Sequence, residues 1–222
     1  MKKEKKDFKI LLVYPNIPLM TVPPLSMAIF TGILKKEGYQ VELFDTTPYI
    51  SDDGNLSQKN RRLYLQYREY SDEDDLGIVI KENLMKDFKE AVLNYKPDLM
   101  IWSVVEDAFK KTLNMAEVIK DYKCVKIFGG VLPSADPEYV ISQKNINFIA
   151  KGEGEITLKE LARCVYEKKD YKNLKGTWYK NDDGSIIKNL PNQLTNINEG
   201  TPDFSLFDDK RFNRPMGGRV FK

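Results

Sequence analysis

Lys126-Ile127-Phe128-Gly129-Gly130-Val131 decides the fold. An apolar strand runs into two glycines with no polar residue between them. Glycine opens backbone conformations closed to other residues and lets another body approach to contact distance. Two glycines at the carboxyl end of a buried parallel strand are therefore a candidate ligand floor. Downstream, Ile149-Ala150-Lys151-Gly152-Glu153-Gly154-Glu155 repeats the pattern with a second glycine pair. The two turns are expected on the same edge of one sheet, around one large ligand.

Outward from this stretch, the apolar runs 8–14, 41–44, 98–104 and 147–150 read as four further strands. The first is apolar almost throughout, as befits a central strand covered on both faces. Helical spacing separates the strands. Residues 25–37 place Leu25, Ala28, Ile29, Gly32 and Ile33 on one face, and Gly38 stops that helix. Gly32 costs about 1 kcal/mol relative to alanine in a helix interior, which close packing on the sheet, or on something lying there, would justify. Residues 76–95 carry Ile80, Leu84, Phe88 and Val92, and Pro97 ends that helix. Glu106 and Asp107 open a helix running to about residue 122, where acids complement the helix dipole. Asp136 caps a short helix begun by Pro137, and 156–166 forms the last helix.

Strands alternating with helices predict an α/β fold, a five-stranded parallel sheet wound on both faces in the flavodoxin-like, Rossmann-type manner. Right-handed crossovers favour the order 2-1-3-4-5, with a switch point between strands one and three. Two segments stand outside the repeat. Residues 48–75 read as a polar, tyrosine-rich insertion, either a solvated excursion or a cap over the sheet edge. Residues 169–222 read as a hairpin around Asn181-Asp182-Asp183-Gly184 followed by an extended lead-out, set apart from the domain at 1–168.

A net charge of +2 over 222 residues argues against a nucleic-acid surface. The basic start, Met1-Lys2-Lys3-Glu4-Lys5-Lys6, precedes no apolar segment of signal-peptide length, and no run of about 18 apolar residues predicts a membrane span. There is no histidine, which removes the commonest general base and metal ligand. Cys124 and Cys164 match no metal-binding spacing, and a reduced, cytoplasmic setting is expected.

At the switch point lie the Pro15-to-Pro24 loop and Ser103. The loop carries four prolines and is apolar, so it either packs on its own domain or walls an apolar ligand or neighbouring domain. Ser103 interrupts an apolar strand near its carboxyl end. Its hydroxyl is either satisfied by local backbone or offered to a ligand.

From about 8 to 215 the chain resembles the N-terminal cobalamin-binding domain of radical S-adenosylmethionine (radical SAM) enzymes. The resemblance rests on the Tyr14-Pro15 loop, Ser103-Val104-Val105, Gly129-Gly130-Val131 and Gly152-Glu153-Gly154-Glu155. The hairpin with Asp183-Gly184 and the later Thr201-Pro202-Asp203-Phe204 also look like the bridge of that family. It implies a corrinoid on the carboxyl edge of the sheet, its nucleotide tail running down between sheet and helices. Gly129 and Gly130, followed by Val131, would give that tail room. Ser103, followed by Val104 and Val105, would offer a hydroxyl. Gly152 and Glu153 would border the tail, with Gly154 close by. The first loop, with Pro15, Asn16, Leu19 and Thr21, would face the lower side of the corrin ring.

Two departures qualify the resemblance. The first loop lacks the Asp-x-His-x-x-Gly pattern that supplies a cobalt ligand in many cobalamin domains, as radical SAM relatives commonly do. The Cys-x3-Cys-x2-Cys motif is also absent, so a 4Fe-4S cluster and S-adenosylmethionine would belong to a C-terminal radical SAM domain of a longer polypeptide. The chain alone is then not catalytic, and the resemblance points to a parent enzyme of the methyltransferase kind. Two other functions use the same fold: a docking or substrate-binding module that has lost cobalamin, and a flavodoxin-like nucleotide-binding domain. The first loop has no Gly-x-Gly-x-x-Gly to favour the last.

Overall fold

Residues 9–14 alternate their side chains between two apolar layers, which makes them the centre of the structure. In a computed structural model the chain is described at residues 4–16, 22–49, 77–196, 198, 200–216 and 219–221. Leu19 and Thr21, and the proposed insertion beyond residue 49, lie outside these residues.

The strands are β1 (Lys9–Tyr14), β2 (Gln40–Asp45), β3 (Leu99–Ser103), β4 (Val125–Gly129), β5 (Phe148–Ala150), β6 (Thr177–Lys180) and β7 (Ile186–Lys188). They form one sheet in the order β2-β1-β3-β4-β5-β6-β7. The first five are parallel, in the expected order, while β6 and β7 add antiparallel. The sheet is therefore seven-stranded, not five-stranded. The hairpin joins it because β5 is short and needs a partner on its outer side: Lys180 N donates to Asn147 O at 2.7 Å and Lys151 N to Gly176 O at 2.8 Å.

The helices are α1 (Leu25–Lys36), α2 (Leu84–Tyr95), α3 (Phe109–Val118), α4 (Val131–Ala135), α5 (Pro137–Ser142) and α6 (Glu155–Glu167). Strand periodicity divides the core in two. Leu11, Val13, Met100, Trp102, Phe128 and Ile149 pack with α2, α3, α4 and α5. Ile10, Leu12, Leu99, Ile101, Ile127 and Phe148 pack with α1 and α6.

Two helix boundaries differ from expectation. α2 begins at Leu84, because residues 77–80 form no regular element and Lys81 bridges to Tyr49 instead. The spacing of Ile80 and Leu84 imitates one helix across that break. α3 is preceded by a 3-10 turn at Glu106–Ala108 and ends at Val118, four residues before the expected stop. Asp136 caps α5 as expected, accepting from Tyr139 N.

The lead-out is not independent of the domain. Residues 200–207 lie across α1 as a strap. A Cβ at Gly32 would land on the Thr201 carbonyl oxygen, which is the close packing its mid-helix position demanded. Asp203 N donates to Ala28 O at 2.9 Å, and Phe207 is buried in the α1 layer. Further on, Asp209–Phe212 forms a 3-10 turn and β8 (Arg214–Met216) pairs with β9 (Arg219–Phe221).

The strap carries a pH-sensitive clasp. Ser205, through its hydroxyl and amide, and then Lys35 hold the Asp203 carboxyl down at about 2, below its ordinary 3.8. Lys35 Nζ lies 3.0 Å from Asp203 Oδ2 and 2.7 Å from Ser205 Oγ. A depressed carboxylate pKa stabilises the fold above its unfolded value, and the contribution disappears as pH falls from about 4 towards 2. The side chain is 32% exposed, so the effect is held to about 1 kcal/mol or less. Urea midpoints at pH 5 and pH 2.5 check this: Asp203→Asn is expected to fall less over the interval than the parent. Equal falls would remove the clasp from the account.

Candidate functional site

The carboxyl ends of β1, β3, β4 and β5 gather most of the expected site residues on one edge. Ser103, half-buried, is the last residue of β3 and stands opposite Gly129 in register. Val104 follows, fully buried: its N–H donates to Gly129 O at 2.7 Å and its carbonyl accepts from Leu132 N at 3.3 Å. Val105 is extended and starts the turn into α3.

The two glycine turns do lie together, joined by a residue the sequence reading missed. Ser134 Oγ donates to Gly130 O at 2.8 Å and accepts from Gly152 N at 3.0 Å. Its signal was modest: a serine one turn into the helix that Gly130 opens.

The glycines serve different ends. A Cβ on Gly129 would meet Ala150 Cβ at 3.3 Å. Gly130 has φ +112°, and a Cβ there would lie 2.7 Å from both the nitrogen and the oxygen of Val104. A Cβ on Gly154 would strike the Phe30 ring of α1 at 2.7 Å. These three have neighbours inside the protein. Gly152 has φ +81°, and among the described residues nothing lies within 4 Å of a Cβ built there. Those residues leave its space open.

Glu153 is spent on the chain itself, its Oε2 accepting from Thr195 N at 2.5 Å. That bond holds residues 190–196 over the start of α6. Gly176 N donates to Leu190 O at 2.8 Å and fixes the near end of the same segment.

At the end of β1, Pro15 and Asn16 are buried. Asn16 N donates to Thr46 Oγ1 at 2.8 Å and Asn16 Nδ2 to Thr47 Oγ1 at 2.9 Å. Lys111 reaches across from α3 and donates to Asn16 O at 2.5 Å. Thr47 passes the network to Asp45, whose Oδ2 lies 3.0 Å from Arg211 Nε. Burial and then the Asp45 charge push the nearby Tyr14 hydroxyl upward. The first loop thus leaves the sheet from a fixed, hydrogen-bonded base.

Around this edge stand exposed apolar side chains. Val22 is 62% exposed, Leu25 57%, Val131 71%, Leu190 74% and Leu194 84%. They come from four separate places: the approach to α1, its first residue, the first residue of α4, and the segment over α6. The edge combines amides, hydroxyls and apolar side chains, a set suited to holding a large body rather than to moving protons. The thiols lie elsewhere: Cys124 begins near the opposite end of β4, where burial pushes it to about 11.

An open α/β sheet of this order, with its glycine turns at the carboxyl edge, is a Rossmann-like unit of the kind that binds ligands there. No protein-family model and no curated protein matches the sequence. Solved structures do match the fold. The radical S-adenosylmethionine methyltransferase TsrM from Kitasatospora setae, with cobalamin and a [4Fe-4S] cluster bound, aligns at TM-score 0.61 and 20% identity over 87% of this chain. The cobalamin-dependent S-adenosylmethionine radical enzyme OxsB aligns at TM-score 0.62 and 21% identity over 89% in its apo form. With aqua-cobalamin bound, OxsB aligns at 0.59 and 19% over 84%. The chain spans 31% of TsrM and 22–24% of OxsB. Among the described residues no helix is long and apolar enough to cross a membrane.

Proposed function

We propose that this chain is the corrinoid-binding unit of a cobalamin-dependent radical SAM enzyme, comparable with the methyltransferases. The observation that carries the reading is the apolar rim around the open turn at Gly152. Covering an exposed valine or leucine is worth about 1.5–3 kcal/mol. Five of them around one sheet edge favour a broad, largely apolar occupant such as a corrin face.

The residues fit that group. Gly152 leaves space beside the sheet, Ser103 carries a hydroxyl at the switch point, and Pro15 and Asn16 set the base of the loop facing the ring. The sequence has no histidine, so this chain would offer a bound cobalt no imidazole. A bound corrinoid would supply methyl-group chemistry at its cobalt. The protein's share is to orient the ring, keep its tail in the crevice and exclude water from the apolar face. The 4Fe-4S cluster and S-adenosylmethionine belong, in this reading, to a C-terminal radical SAM domain of the same polypeptide. The two free thiols suit a cytoplasmic, reducing compartment.

A second reading is a docking module without corrinoid, its rim covered directly by a partner domain. The intrachain neighbours of Gly129, Gly130 and Gly154 favour it, since none of those glycines needs a ligand to explain it. Titration with hydroxocobalamin separates the two. The expected result is a saturable change in the corrinoid visible bands and colour that stays with the protein through gel filtration. Protein that emerges colourless, with unshifted bands at saturating cobalamin, would leave the docking module standing.

A further inference from the structure

The opposite edge of the sheet holds a different kind of surface. A groove of about 390 Å³ lies at the amino-terminal ends of β4 and β5, beside the end of β6. From the carboxyl edge it is about 15 Å away, the length of a five-residue strand. Lys126, Lys144 and Lys180 all line it.

Lys126 is the second residue of β4 and is half-buried. Its ammonium donates to the Tyr122 carbonyl at 2.6 Å. Lys180 donates to the carbonyls of Ile141 at 2.6 Å and Gln143 at 2.8 Å. These acceptors are neutral. Among the described residues no carboxylate lies within ion-pair distance of Lys126, Lys144 or Lys180, and Lys144 feels the Glu117 carboxylate only from further away, whereas Lys5, Lys35, Lys159 and Lys188 each have a close partner. Lys120, at the rim, is already paired with Glu117. Among the described residues Asp182 is the one carboxylate lining the groove, and it is exposed on the hairpin turn.

An ammonium has three donors, so the two hydrogen-bonded lysines keep donors in reserve. Taking a cation partly out of water without a counter-charge is unfavourable, and burial accordingly pushes both Lys126 and Lys180 downward. A compact anion between the three lysines would reverse that penalty. The volume is within the range of small-molecule sites.

We propose that this groove binds a phosphate-bearing small molecule, with Lys126, Lys144 and Lys180 as its charge partners. The site is independent of the carboxyl edge and of what that edge binds.

The test is titration of the ¹⁵N-labelled full chain with inorganic phosphate and with ribose 5-phosphate, followed by amide shifts. Expected are saturable shifts confined to residues near 120–126, 143–148 and 180–182, with 150–154 unmoved. Tighter binding of ribose 5-phosphate marks an esterified ligand, and equal or weaker binding marks free phosphate; either supports the site. Lys126→Met should weaken binding at least tenfold. Lys144→Gln, at an exposed position, should weaken it several-fold and decides the matter if the first variant does not fold. Shifts that sodium chloride reproduces at equal ionic strength, or an affinity that survives Lys144→Gln unchanged, would overturn the proposal. Because the probe is not a corrinoid, failure here is distinct from failure of cobalamin binding.

Discussion

Replacing Gly130 with alanine is expected to lower the unfolding free energy by about 4 kcal/mol. Two costs add. The backbone at φ +112°, ψ −165° is one that side-chain-bearing residues rarely adopt, a penalty of about 1–3 kcal/mol. The new Cβ would also lie 2.7 Å from Val104 N and O, which belong to backbone and cannot swing away. Moving them disturbs the bonds from Val104 N to Gly129 O and from Leu132 N to Val104 O. Overpacking of that kind costs about 1–3 kcal/mol. Gly184→Ala supplies the control: its φ is +84°, but among the described residues nothing lies within 4 Å of its Cβ. Urea unfolding of both variants should show a much smaller loss at Gly184. Equal losses would mean that strain alone acts at Gly130 and that the contact with Val104 is unimportant.

The second large effect concerns binding. Gly152→Trp is expected to abolish hydroxocobalamin binding, with an affinity loss of a hundredfold or more, while Gly152→Ala keeps it within about tenfold. Both variants carry the same backbone strain at φ +81°. They differ in how much of the open space they fill, so their difference reports occupancy of that space and not folding. Thermal midpoints of the two should agree within a few degrees. The outcome that sinks the assignment is a Trp variant that binds as well as the Ala variant. Gly130 is a poorer site for this test, since its substitution disturbs the bonds that Val104 makes to Gly129 and Leu132 whether or not a ligand is present.

Much of this arrangement is legible in the sequence because the central strands are buried on both faces. A run such as Lys9-Ile10-Leu11-Leu12-Val13-Tyr14 carries its environment in its composition, and the glycine turns mark where the strands end. Gly32 announced a close neighbour in its helix, although not which one. Features that depend on distant partners were harder to see. Ile80 and Leu84 keep helical spacing across a segment that turns away to meet Tyr49, since periodicity ignores a tertiary contact. The strap read as an extended lead-out because an extended segment shows no period of its own. Ser134 and Lys111 owe their roles to partners 18 and 95 residues away, beyond the reach of any local pattern.

The strap also imposes an order on synthesis. Lys35 and Ser205 are 170 residues apart, and a ribosome adding about 5–20 residues per second needs roughly 10–30 s to span that interval. Throughout it, the outer stripe of α1 around Ile29 and Gly32 stands bare on the nascent chain. Chaperones have their best opportunity in that window, and it shuts only when Thr201 has left the exit tunnel.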